Sequence, residues 1–314
     1  MNLYQKTISI IILTLIFSSC EKVVYFEVET QENKLVVNSF IQPDSAGLMT
    51  ISLSTDPLAV GFDNVRVESA TVNIFRNGTL AGNFVHQGDG NYTIDAATLN
   101  AQSGDIFSIE ASAPGKETIS AETEIPASVE IEEAKIIDTI FVEVSYSSID
   151  SLGNIFVIDT VVPHYKLQIT FTDPEGVDFY SITINYKDAF SETYTCFTTE
   201  DPIFILGEYG GGNNEGSTVT LCNEVYFNDI TFEGTKKTME VSLLEIPTDF
   251  VLDPKFEIKL KHVSSDFYKY RITANSQFGN QDNPFAEPVI VFSNIENGYG
   301  IFAGLNTSVA EIEL

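Results

Sequence analysis

Tryptophan is absent from this 314-residue chain, and cysteine, histidine and methionine each occur three times. His86, His164 and His262 are isolated from one another and show no ligand spacing, so no metal site is read from them. Each is expected as a surface or half-buried strand residue. Positive charge is scarce as well: 16 Lys and Arg stand against 45 Asp and Glu, a net charge of -29. Nucleic acid is excluded as a partner, because its phosphates would be repelled. The same balance argues against adsorption of the protein body to anionic lipid. The carboxylates are scattered among Thr, Ser and Val rather than gathered in blocks, which reads as a solvated surface. Catalytic signatures are missing too. There is no G-x-S-x-G elbow, no H-E-x-x-H, no phosphate loop and no Rossmann glycine cluster, so neither an enzyme nor a bound cofactor is expected.

What is present begins at the N-terminus. Lys6 precedes an apolar-leaning run from Ile8 to Phe17, and Ser18, Ser19 and Cys20 follow. A charged start, a short apolar core and small residues make a secretory signal peptide. The run is too short to cross a bilayer as a helix, which needs about 20 apolar residues. The sequence Phe17-Ser18-Ser19-Cys20 resembles a bacterial lipobox, which makes Cys20 the lipidated first residue of a mature chain. The expected plan is a signal peptide over 1–19 and a tether over 20–33.

Hydrophobic residues make up 43% of the chain, with 13 Tyr and 23 Phe, a mixture that suits strands and sandwich cores. Short alternating runs recur with turn signals every 8–12 residues between 34 and 127. Asn77-Gly78 there is a strong hairpin signal. This segment is expected as an immunoglobulin-like β-sandwich. From 128 to 314 the runs lengthen, and a larger antiparallel β domain is expected. Ile136–Val144 and Ile155–Val162 read as a long hairpin. Asp229–Phe232, Val289–Phe292 and an edge segment Val309–Leu314 read as strands. One helix is predicted, capped by Ser264 or Ser265, with Phe267, Tyr270 and Ala274 on one face and Arg271 towards solvent. The fold class is therefore mainly β.

Residues 187–230 are the least regular. Four glycines and two asparagines between Gly210 and Gly216 make a loop rather than a strand interior. Cys196 and Cys222 bracket it. In an exported chain this pair reads as a disulfide, with two free buried thiols as the alternative. Glu208 and Tyr209 on that loop are the candidate ligand contacts, suited to a sugar or a peptide. Asp173, Glu175 and Asp178 offer oxygen ligands but lack the spacing of a calcium loop, and read as a turn with solvated carboxylates.

Several runs carry a resemblance. They are Ser265-Asp266-Phe267-Tyr268-Lys269-Tyr270, Asn283-Pro284-Phe285-Ala286-Glu287-Pro288 and Ser293 through Phe302 (SNIENGYGIF). Lys34-Leu35-Val36-Val37-Asn38-Ser39, Gly90-Asn91-Tyr92 and Thr123-Glu124-Ile125-Pro126 join them. Together they resemble the DUF4249 family of Bacteroidota outer-membrane lipoproteins. The resemblance implies an accessory lipoprotein encoded beside TonB-dependent receptors, and brings no catalytic residues. The expectation is a protein anchored to the outer membrane through lipid, on its periplasmic or outer face, partnered by a TonB-dependent receptor, with its ligand unknown. An adhesive surface protein and a polysaccharide or peptide hydrolase are the alternatives.

Overall fold

Two-residue alternation builds the first part of the chain. It forms β1 (Leu35–Ile41), β2 (Gly47–Leu53), β3 (Thr71–Arg76), β4 (Thr79–Gly88), β5 (Asn91–Ile94), a short helix α1 (Ala96–Leu99), β6 (Ile106–Ser112) and β7 (Ile119–Glu124). Val37, Ile51, Ile74, Phe107 and Ile109 are fully buried while alternate neighbours face outward. Successive strand side chains point to opposite faces, so one apolar face per strand is enough. The β3–β4 turn is Asn77-Gly78 with φ of 50° and 76°, the double positive φ that this dipeptide tolerates. The computed structural model describes residues 32–55, 65–149, 153–189, 191–205, 213–215, 218–244, 254–280, 286–287 and 289–314.

Beyond Pro126 follow two long strands, β8 (Ile131–Ile149) and β9 (Ile155–Thr172), then β10 (Phe179–Lys187). Shorter elements come next: β11 (Glu192–Tyr194), β12 (Phe197–Thr199), α2 (Pro202–Ile205), β13 (Asn213–Glu215), β14 (Thr218–Leu221) and β15 (Val225–Asn228). The chain ends with β16 (Lys236–Leu243), β17 (Lys255–Val263), helix α3 (Ser265–Gly279) and β18 (Tyr299–Glu313). Six strands form one sheet in the order β13-β14-β12-β16-β9-β8. The other sheet runs β11-β10-β17-β18-β1-β2-β5-β4-β3-β6-β7, with β15 also paired to β10. The protein is thus mainly β, with one substantial helix near its C-terminal end.

Three expectations need correction. Asp229–Phe232 is a turn, closed by Phe232 N to Asp229 O at 2.7 Å, and the strand is the preceding Val225–Asn228. Val289–Phe292 has no regular structure. Val309–Glu313 is not a separate strand: it is the last part of β18, which runs on from Tyr299, and this part pairs with β17 alone.

β18 joins the halves of that sheet. Tyr299–Gly304 runs parallel to β1, and Leu305–Glu313 pairs antiparallel with β17. Its entry depends on Gly300, at φ +107°, where a Cβ would stand 1.9 Å from the carbonyl oxygen of Val37. Only glycine permits so close a backbone approach.

Buried side chains fall into three clusters. Strands β1 to β7 enclose one, which also takes in Ile295 and Phe302. A second is filled by β9, β10, β16 and β17 through residues such as Leu167, Ile182, Met239 and Ile258. In the absence of tryptophan, Phe171, Tyr180, Phe227 and Phe232 supply its bulk, with ring centroids 5.4–6.5 Å apart. The third lies under α3, where Phe267 and Tyr268 pack on Tyr226, Val263, Ile301 and Leu305. Ser264 caps α3, its side chain accepting from Phe267 N at 3.4 Å, which is worth about 1 kcal/mol.

Candidate functional site

The site grows from the second face of β10 and β17. On β10, Tyr180, Ile182, Ile184 and Tyr186 enter the core, so Ser181, Thr183 and Asn185 must face the other way. On β17 the core takes Phe256, Ile258 and Leu260, leaving Glu257, Lys259 and Lys261 on the same side as that polar row. Register places Ser181 beside Lys261, Thr183 beside Lys259 and Asn185 beside Glu257. Arg271 and Asn275 reach the floor from one face of α3, four residues apart. Tyr194 of β11 and the Cys222-Asn223-Glu224 segment close the remaining sides. The result is a polar cavity of about 400 Å³.

The disulfide fixes one wall. Cys196 and Cys222 are bonded, 26 positions apart in sequence. Asn223, next to Cys222, takes a positive φ of 63°. The sequence reading of this pair as a bridge therefore holds. Cys20, Glu208 and Tyr209 lie outside the described residues.

Charges on the floor are paired in a chain. Lys187 contacts Glu257, Glu257 meets Lys259 at 2.6 Å, and Lys259 reaches Glu192 at 3.2 Å. Lys261 binds Glu224 at 2.7 Å, and Glu224 also accepts from Ser181 at 2.8 Å and Tyr226 at 2.6 Å. Burial pushes the Glu224 carboxyl up, but the charge of Lys261 and these bonds outweigh it and hold the pKa below the ordinary value. The Tyr226 phenol is driven above the phenol range by burial and by Glu224. The Arg271 guanidinium lies 5.2 Å over the Tyr226 ring. Lys187, Lys259, Lys261 and Arg271 face Glu192, Glu224 and Glu257, leaving one excess positive charge in a chain of net -29.

Two described atoms of the cavity lining, Arg271 Nε and Asn185 Oδ1, are buried without a hydrogen-bond partner; Glu257 Oε1, beside Asn185 in register, has only its ion pair with Lys259. Arg271 Nε is a donor and Asn185 Oδ1 an acceptor. Orphaned groups of this kind cost about 1–3 kcal/mol each and are rare without a purpose. Sequence reasoning placed Arg271 towards solvent. The structure instead half-buries it against Tyr226, and this correction is what defines the cavity.

A second polar cluster lies on the core side. Asp173, Asp178 and Asp229 bring one carboxylate oxygen each within 4.8 Å of one another. The expected solvated turn is corrected here, because Asp173 is only 2% exposed. It accepts from the Tyr180 hydroxyl, and from Gly234 N at 2.7 Å. Asp229 Oδ2 accepts from Asp178 N at 2.9 Å. His262, expected at or near the surface, is buried as well, stacked on Tyr180 at 5.0 Å. Its Nδ1 faces the Ala127 carbonyl at 2.9 Å, so that nitrogen carries a proton, and its Nε2 meets Asp178 Oδ1 at 2.8 Å. With both Asp173 oxygens taken and Asp178 tied to His262, the cluster acts as a clasp between β9, β10, β17 and the turn after β15. These three are the described side chains whose oxygens lie close enough to hold a hard cation.

Fold and cavity together define a mainly β protein with a disulfide-walled polar pocket. The chain belongs to the DUF4249 family, a domain of unknown function whose model matches residues 21–311. No curated protein matches it. Among solved structures, the full-length major pilin SpaD from Corynebacterium diphtheriae aligns at 10% identity with a TM-score of 0.19. That alignment covers 91% of this chain and 66% of the pilin, just under two thirds of its length. A score so low carries no argument about fold or role.

Proposed function

We propose that this protein is a non-catalytic binding lipoprotein, anchored to the outer membrane through Cys20 and working with a TonB-dependent transporter in nutrient uptake. The observation that carries the reading is the polar cavity, with Arg271 Nε as an unmet donor and Asn185 Oδ1 as an unmet acceptor. A small polar ligand that offers both an acceptor and a donor satisfies the pair. The cavity walls are strands, a helix and a disulfide, so the site is held before a ligand arrives, which lowers the cost of binding. The lipobox-like run Phe17-Ser18-Ser19-Cys20 supports the anchor, and the receptor neighbourhood that the resemblance implies supports the partner. The test is affinity purification of the tagged lipoprotein from membranes in mild detergent. A TonB-dependent receptor in the eluate is expected. A lipoprotein that elutes alone, with unchanged nutrient growth of the deletion strain, would move the reading to an adhesive surface protein.

A further inference from the structure

We infer that the outer half of the β8–β9 hairpin is a docking arm for another protein, one presenting an apolar strand edge flanked by lysine or arginine. The arm deepens the proposed partnership by naming its surface, and it rests on that reading.

β9 pairs with β16 only as far as Lys166, matched to Ser242. Beyond that point β8 and β9 continue as two strands alone, from Thr139 opposite Tyr165 to Ile149 opposite Ile155. Eleven paired positions at about 3.3 Å each make an arm of roughly 36 Å. A two-stranded ribbon by itself is marginally stable in water. This one also leaves large apolar side chains in solvent. Phe141, Ile149, Ile155, Val157 and Val161 share one face and are 53–71% exposed. Monomers seldom expose so many large apolar side chains on one strand pair, here interrupted by Glu143 and the Ser145–Asp159 pair, and such a surface marks an interaction site.

The free edge points to strand addition. β8 is the last strand of its sheet, and no described strand pairs with its outer edge. Natural edges are blunted by lysine or proline. β8 carries neither between Ile136 and Ile149. On the other strand Pro163, opposite Phe141, interrupts the donors, so β8 offers the longer continuous edge. An extended partner strand could bond along it and seat side chains on the apolar face.

Charge selects the occupant. From Ile136 to Tyr165 the chain holds Asp138, Glu143, Asp150 and Asp159, and no lysine or arginine. Glu143 and Asp159 sit among the apolar residues of the exposed face. A second copy would bring the same carboxylates to a body of net charge -29, and an anionic lipid surface would be repelled likewise. A protein strip with basic flanks is complementary.

The test places a photo-cross-linking phenylalanine analogue at Phe141 and at Val157 in the full-length protein in its own cells, with Ile230, 83% exposed in the turn after β15, as control. All three side chains are exposed, so the fold is retained. The expected result is a cross-linked peptide from one other protein, an apolar strand with neighbouring Lys or Arg, formed at 141 and 157 and not at 230. The double variant Glu143→Lys, Asp159→Lys should cut that yield roughly tenfold. Adducts only to this chain, to lipid or to nothing overturn the inference, as does equal capture at Ile230. Co-purification with the unmodified protein gives a second measurement, because a complementary contact weakens as ionic strength rises. If the partner is not a TonB-dependent receptor, the arm stands and the receptor reading falls. If such a receptor co-purifies while the arm yields no adduct, the arm falls and the receptor reading stands.

Discussion

Asp173 shows how a single side chain can set the sign of a pH response. Burial raises its pKa above the ordinary value of 3.8; the Tyr180 and Gly234 bonds oppose the rise, and the neighbouring Asp229 and Asp178 carboxylates add to it. The folded state therefore holds this proton more tightly than the unfolded chain does. Its stabilising contribution is complete below 3.8 and is lost as pH rises through the raised folded pKa. Glu224 works in the opposite sense. Its lowered pKa gives stability that is present above 4.5 and lost on acidification. Total stability mixes the two trends, so the Asp173 component must be read as a difference. Melting temperatures of the wild type and of Asp173→Asn should be followed from acid to neutral pH. The wild-type value relative to the variant is expected to fall as pH rises. A difference that stays level, or that climbs, would show that Asp173 ionises as an ordinary carboxylate.

At the scale of elements, what was legible in the sequence was local. Asn77-Gly78 announces its hairpin because both φ values are set within the dipeptide. Ser264 announces α3 because its bond reaches only three residues ahead. Of β18, the expected strand covered only the end, from Val309, and left out Gly304 to Ser308. What holds those residues extended is pairing to β1 and β17, more than 250 and about 50 residues away in sequence. The burial of Asp173 was hidden for the same reason, since Gly234 lies 61 positions on. The pocket had no motif at all. Asn185, Glu224, Lys261 and Arg271 come from three elements and a loop, and only the register joins them. The one distant link that composition did expose was Cys196 to Cys222. Closing a loop of 26 residues should contribute up to about 3.5 kcal/mol in the chain-entropy model. The double variant Cys196→Ser, Cys222→Ser should keep a cooperative denaturant transition, at a midpoint lowered by most of that free energy. An unchanged midpoint would mean that the core already fixes the two ends.

For the whole molecule, the anchor and the body make separable demands. The described buried clusters begin at Leu35, and residues 33–314 form one compact unit. No described core side chain comes from the lipobox or the tether. The body carries a net charge that opposes contact with anionic headgroups, and no described helix is long and apolar enough to cross a membrane. In the anchoring proposed above, membrane attachment rests on acyl chains on Cys20, each buried methylene adding about 0.8 kcal/mol. Cys20→Ser should accordingly move the protein from the membrane pellet to the soluble fraction while leaving the melting temperature of the body unchanged. Labelled palmitate should mark the wild type and not the variant. Raising the salt should not release any residual membrane-bound fraction if that fraction is held by apolar contact, because screening removes repulsion here rather than attraction. A Cys20→Ser protein that still sediments at high salt, and is freed only when Phe141 and Val157 are made polar, would show that the β8–β9 arm binds the membrane itself and that the protein partner inferred for it is wrong.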